Sequence, residues 1–193
     1  RVFLLLILVE YAIIKRTGKE VVGLIIFGID PGYATIGWGC VRYQSARYYI
    51  VDYGTITTPA EMDFPDRLCM LHQELLVKLK EFKPQTLAVE KLYFKKNQKT
   101  AIDVAQARGV IILTARQCGI PVYEYTPLQV KSAVTGFGKA EKQQVMEMTR
   151  RLLCLKELPQ PDDAADALAV AICHANMCGT PLRRKLAKMN SVL

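Results

Sequence analysis

Histidine is nearly missing from this chain: among 193 residues there are only His72 and His174. Chemistry that depends on a histidine cluster is therefore disfavoured. Cysteine offers no substitute. Cys40, Cys69, Cys118, Cys154, Cys173 and Cys178 are scattered without a CxxC pair, and several sit inside apolar stretches. That is the pattern of reduced structural thiols in a cytoplasmic protein rather than of a zinc site or a disulfide framework. Long apolar runs are also scarce. Val2 to Val9 is unbroken, but Glu10, Lys15 and Arg16 follow soon after. A membrane-spanning helix needs about 20 apolar residues. No small-residue cleavage site follows the run. Residues 1–24, which open on Arg1 rather than on an ordinary start residue, read as an extension outside the fold, of the kind a misassigned start site would add. A membrane anchor is the competing reading.

What is present is ordinary for one medium domain: 51% hydrophobic and 23% charged residues. The balance of charge is not neutral. A net charge of +8 and a pI near 9.2 favour a polyanionic partner.

Three stretches end or begin in acid. The first is Ile25-Ile26-Phe27-Gly28-Ile29-Asp30-Pro31-Gly32. It is a continuous apolar run of strand length, closed by a carboxylate and a Pro-Gly turn. An Asp there can simply open the turn, but at the end of a buried strand it needs donors, a cation or a metal to compensate it. Gly37–Val41 and Tyr48–Val51 follow as aromatic and β-branched strands with short connections, which predicts an antiparallel meander. The spacing of Leu68, Leu71, Leu75, Leu76 and Leu79 predicts a helix over Phe64 to Phe82, opened by Pro65 and closed before Pro84.

The second stretch, Thr86-Leu87-Ala88-Val89-Glu90, repeats the design of the first. The helix between them makes a parallel pairing the natural connection. Asp30 and Glu90 then meet at the carboxyl ends of adjacent strands, where open α/β sheets hold ligands. Directly after Glu90, Lys91-Leu92-Tyr93-Phe94-Lys95-Lys96-Asn97-Gln98-Lys99 mixes four lysines with two aromatics. It is either a solvated loop or a nucleic-acid contact, with lysines on phosphates and an aromatic stacked on an unpaired base.

Ala101 to Cys118 reads as a helix with a wide apolar surface, capped by Gly119; Gly109 within it suggests a close packing contact. Pro121–Tyr125 reads as a strand. Lys131, Lys139 and Lys142 surround a glycine-flanked turn and are candidate phosphate contacts. Lys142 to Leu155 reads as a helix.

The third stretch is Pro161-Asp162-Asp163-Ala164-Ala165-Asp166, followed by more alanines and aliphatics. A helix starts near Asp162. Asp163 and Asp166 share one of its faces, while Asp162 is expected to point away and cap it. Acids in a first turn can merely complement the helix dipole. The apolar surroundings argue instead that this helix packs into the body and that its paired acids need a partner. Residues 178–193, with Arg183, Arg184, Lys185 and Lys188, read as a basic, disordered tail.

Asp30, Glu90, Asp163 and Asp166 are thus candidates for one site. Two carboxylates about 4 Å apart repel by about 1 to 4 kcal/mol, depending on the local dielectric. Four cannot all stay ionised without cations or shifted pKa values. An oxygen-only donor set suits Mg²⁺, with Mn²⁺ as substitute. Two such ions about 3.5–4 Å apart form a clamp for phosphodiester hydrolysis. The basic loops would hold the nucleic acid that is cut.

Gly28-Ile29-Asp30-Pro31-Gly32, Val89-Glu90, Gln106-Ala107-Arg108-Gly109 and Asp163-Ala164-Ala165-Asp166-Ala167-Leu168-Ala169 occur in an order and spacing that resembles the RuvC family of Holliday junction resolvases, over about residues 25–177. The resemblance implies an α/β, RNase H-like fold: a mixed sheet, antiparallel meander plus parallel strands, with helices on both faces. It implies a homodimer that nicks a four-way DNA junction symmetrically, leaving 5′-phosphate and 3′-hydroxyl ends, with two Mg²⁺ per subunit and alongside the RuvA–RuvB branch-migration complex. The family's acidic tetrad falls on Asp30, Glu90, Asp163 and Asp166, and its functional lysines on Lys131 and Lys142. Its junction-stacking aromatic falls on Tyr93 or on the neighbouring Phe94, and its dimer helix on the one from Ala101. Lys95, Lys96, Lys99 and Lys139 join as candidate DNA contacts. The competing functions are a related RNase H-like nuclease on other substrates and a junction binder without catalysis. The full acidic set argues against the binder, since it would repel phosphate for no gain.

Overall fold

The computed structural model describes residues 23–92 and 98–178, with the side chains of residues 98 and 99 left aside. Tyr93, Phe94, Lys95 and Lys96, the run at Val2–Val9 and the basic tail from residue 179 on lie outside the described residues, as does the Lys99 side chain; Cys178, assigned to the tail, is helical.

A five-stranded sheet orders the chain: β1 (Leu24–Asp30), β2 (Thr35–Gln44), β3 (Arg47–Thr57), β4 (Thr86–Glu90) and β5 (Val122–Tyr125). Their order across the sheet is β3-β2-β1-β4-β5. β1, β2 and β3 form the antiparallel meander; β1–β4 and β4–β5 are parallel. This is the RNase H-like arrangement that the motifs implied. β2 and β3 run further than the short strands expected, because their outer ends pair through polar and aromatic residues such as Tyr43 and Tyr48 rather than through an apolar run. β1 begins at Leu24, which packs against the core, so the fold takes in one residue assigned to the extension.

Helices cover both faces. On one lie α1 (Phe64–Phe82) and α2 (Gln98–Gln117). Leu71, Leu75 and Leu79 of α1 and Ala107, Ile111 and Ala115 of α2 close over Phe27, Ile29, Trp38, Leu87 and Val89. α1 keeps the predicted boundaries, with Pro65 in its first turn and Lys83, at φ 46°, returning its N–H to the Leu79 carbonyl. α2 begins three residues earlier than expected, which takes Lys99 out of the loop and into the helix. Gly119, at φ 74°, ends it as expected. Gly109 is different: a Cβ there would meet nothing within 4 Å, so within the described residues no contact requires glycine.

The other face carries α3 (Pro127–Thr135), α4 (Lys142–Leu152) and α5 (Asp162–Cys178). α3 had no counterpart in the sequence reading. Its start is marked by Thr126 and Gln129, whose side chains and main-chain N–H groups cap each other, and by Pro127. α4 stops at Leu152, before the expected Leu155; Cys154 at φ 54° turns the chain and Leu155 N–H returns to the Arg150 carbonyl. α5 is buried along most of its length, from Ala164 through Ala175 apart from Asp166. Each fully buried large aliphatic on these faces contributes about 1.5–3 kcal/mol of transfer free energy. Among the described residues no helix is long and apolar enough to cross a membrane.

Two glycines set how close α5 lies. A Cβ on Gly28 of β1 would come within 2.1 Å of the Ala167 carbonyl oxygen, and one on Gly37 of β2 within 1.9 Å of that of Asp163. Only bare backbone fits there. The first turns of α5 therefore rest directly on β1 and β2.

Candidate active site

Asp30 closes β1 and Glu90 closes β4. The parallel ladder pairs Ile29 with Val89, so the two acids are the next residues on each strand and leave the sheet at the same edge. α5, seated on Gly28 and Gly37, brings Asp163 and Asp166 over that edge. The electrostatics record the convergence. The Asp30 carboxyl is pushed up from 3.8 to about 8, first by burial, then by Asp166, Glu90 and Asp163; Lys142 opposes the rise. Glu90 is pushed up from 4.5 to about 7 by burial and Asp166, with Lys131 opposing. Burial also raises Asp166, Lys142 offsets part of that, and Asp162 and Asp163 add to the rise. Asp30 thus feels each of the other three acids named from sequence, and Asp166 acts on both Asp30 and Glu90.

They do not share one coordination point. Among the described residues no three His, Cys, Asp or Glu side chains gather closely enough to hold one ion. The two observations agree, because Coulombic coupling reaches further than ligation. An ammonium group stands among the acids: Lys142 Nζ lies 3.2 Å from Asp166 Oδ2 and 3.2 Å from Asp162 Oδ2. Burial draws the Lys142 pKa down, but Asp166 and Asp162 outweigh it and the net shift is upward. Asp162, the first residue of α5 and the one expected to cap it, turns a carboxylate oxygen to Lys142 of α4, so it does not point away from Asp166 as expected.

Lys131, from α3, donates to the Ala140 carbonyl at 2.7 Å and is the cation that lowers Glu90. Lys131, Lys142, Glu90 and Asp166 surround a cavity of about 250 Å³ floored by Val130, Val145 and Ala169. Lys139 is exposed on the turn between α3 and α4. A larger cavity, about 700 Å³, lies at the opposite sheet edge near Pro84 and Ile120 and holds no acid. Its size is no guide to the chemistry.

Sequence reasoning missed Arg108 and Glu124. Arg108 Nη2 donates to Glu124 Oε1 at 2.5 Å and its Nε to the Glu90 main-chain carbonyl at 3.4 Å. Arg108 stood inside a quoted motif, but its partners are on other elements. His174 is fully buried, bonded to the Tyr125 hydroxyl at 2.7 Å and lowered to about 4 by burial, so it is a core residue.

A family model described as crossover junction endodeoxyribonuclease RuvC matches residues 26–174. The chain belongs to the RuvC family. It is 55% identical over 153 residues to the crossover junction endodeoxyribonuclease RuvC of Desulfitobacterium hafniense, covering 79% of this chain and 93% of that one. To its counterpart in Syntrophomonas wolfei it is 56% identical over 149 residues, covering 77% and 87%. The RuvC structure of Thermus thermophilus superposes with a TM-score of 0.76 at 34% identity, covering 81% of this chain and 96% of that one. A structure of the same T. thermophilus RuvC in complex with Holliday junction substrate gives 0.75 at 33% identity over the same shares.

Proposed function

We propose that this chain is a structure-selective endonuclease that resolves four-way DNA junctions, as a homodimer, by symmetric paired nicks. The observation that carries the reading is the convergence of Asp30 and Glu90, on adjacent parallel strand ends, with Asp163 and Asp166 of α5.

The donor set fits a hard divalent cation. Every candidate ligand is a carboxylate oxygen, and burial leaves Asp30 and Glu90 short of compensating positive charge. Asp30, Glu90, Asp163 and Asp166 would hold two Mg²⁺ per subunit, or Mn²⁺ in its place. Bound there, such ions would supply activation of the attacking water and stabilisation of the leaving 3′ oxygen, the chemistry that yields 5′-phosphate and 3′-hydroxyl ends.

The chain's own residues bind and orient. Lys131 and Lys142, on the rim of the 250 Å³ cavity, carry the positive charge that draws a phosphate to the acids. Lys139 extends that surface, and the run from Tyr93 to Lys99 supplies further phosphate contacts and a stacking aromatic. The second copy binds on the outer face of α2, where Ile102 is 64% and Leu113 56% exposed. Gly109 on this face offers close approach. Residues 24–178, one residue wider at each end than the 25–177 expected, form the nuclease unit, working in the cytoplasm beside the RuvA–RuvB complex.

The test is nicking of a synthetic four-way junction with Mg²⁺, beside Asp30→Asn and Glu90→Gln. The expected result is junction binding kept and cleavage lost in both. Equal cleavage by the variants overturns the assignment. Equal cutting of linear duplex favours a nuclease of another specificity.

A further inference from the structure

Glu90 is the last residue of its strand, paired with Tyr125 of β5 but no longer with β1. The parallel ladder with β1 ends at Val89. The peptide unit that follows Glu90 is nonetheless held on both sides. Its N–H, belonging to Lys91, donates to the Tyr125 carbonyl of β5 at 2.7 Å. Its carbonyl accepts from Arg108 Nε at 3.4 Å. Arg108 is anchored in turn by its bond to Glu124, and its side chain is only 18% exposed. Lys91 Nζ approaches the same Glu124 carboxylate at 3.9 Å. The guanidinium fork is what allows one side chain to serve a carboxylate and a carbonyl together; lysine offers a single point charge.

Arg108 leaves α2 one residue before Gly109, on the helix whose other side exposes Ile102 and Leu113. A shift of α2 therefore moves the group that holds the peptide plane behind Glu90. We propose that Arg108 and Glu124 are positioning residues: they clamp the Glu90–Lys91 peptide and tie the direction of the Glu90 carboxylate to the seating of helix α2.

This rests on the nuclease reading above, and the experiment separates the two. Full-length wild type, Arg108→Met, Arg108→Lys and Glu124→Gln are compared in three measurements: Mn²⁺ affinity by calorimetry without DNA, the Mg²⁺ dependence of single-turnover nicking of a four-way junction, and junction affinity in EDTA. Removing an outer partner of a metal ligand costs about 10–100-fold in metal affinity or activity. Arg108→Met is expected to weaken Mn²⁺ binding by about tenfold and to raise the Mg²⁺ needed for half-maximal nicking by a similar factor, with junction affinity unchanged. Arg108→Lys, which keeps the ion pair but not the fork, recovers part of both. A purely structural arginine would lower the melting temperature and the active fraction while leaving the metal dependence of the remaining protein at wild type. That outcome overturns the clamp and leaves the nuclease reading standing. Wild type that neither binds Mn²⁺ nor nicks junctions overturns both. If Arg108→Met does not fold, Arg108→Lys and Glu124→Gln decide by the same criterion.

Discussion

Lys142 and Asp166 stand 3.2 Å apart, ammonium to carboxylate, at the sheet edge where the acids gather. α4 thus lends α5 a positive charge where four acids repel. Lys142→Ala removes that charge, so the melting temperature in EDTA should drop. With Mg²⁺ present the drop should be smaller, because bound cations replace the missing one. Equal losses in both conditions would contradict this account.

The acids also set a pH dependence. The folded protein holds protons on Asp30 and Glu90 more tightly than the unfolded chain does, with pKa values of about 8 and 7 against 3.8 and 4.5. Stability from these groups is present below the unfolded values and is lost as pH rises through the folded ones. One such site gives a slope of at most about 1.4 kcal/mol per pH unit. In EDTA, melting temperature should fall from pH 5 towards pH 8, and Asp30→Asn should flatten the curve. A wild-type curve that rises over this interval would refute the assignment.

Gly37→Ala would drive a Cβ to 1.9 Å from the Asp163 carbonyl oxygen, so strand or helix must move. Overpacking of this kind typically costs about 1–3 kcal/mol. The expected result is a lower melting temperature and a disproportionate loss of nicking, since the displaced turn carries Asp163. Gly109→Ala, which meets nothing within the described chain, should leave the isolated subunit's stability unchanged or improved; differential scanning calorimetry distinguishes the two.

Leu113→Asp puts a charge on the outer face of α2, where Leu113 is 56% exposed. Sedimentation should then report a monomer, and junctions should be nicked on one strand at a time. A dimer of unchanged affinity would place the interface elsewhere.

Much of this arrangement was legible in the chain because local signals and long-range packing agree. Pro65 and Pro84 bracket α1, and the repeated apolar-then-acid design of β1 and β4 implied that Asp30 and Glu90 share an edge. Where the partner is distant, the signal fades. Asp162 looked like a cap, since its attraction to Lys142 depends on how α4 and α5 pack. α3 escaped because only Val130 and Val134 of its nine residues are buried, leaving a weak period; its marks were at the ends alone, in the Thr126–Gln129 capping box, Pro127 and Gly136. Gly28 and Gly37 read as ordinary strand glycines until α5 is laid across them.

The β1–β4 ladder has one more consequence. Because Ile29 faces Val89, the spacing of the two principal acids is laid down by main-chain hydrogen bonds and is insensitive to most side-chain replacements around it. Under the proposed function, the surrounding loops are then free to diverge in length and charge, altering which strands are gripped and where, without changing the spacing of Asp30 and Glu90.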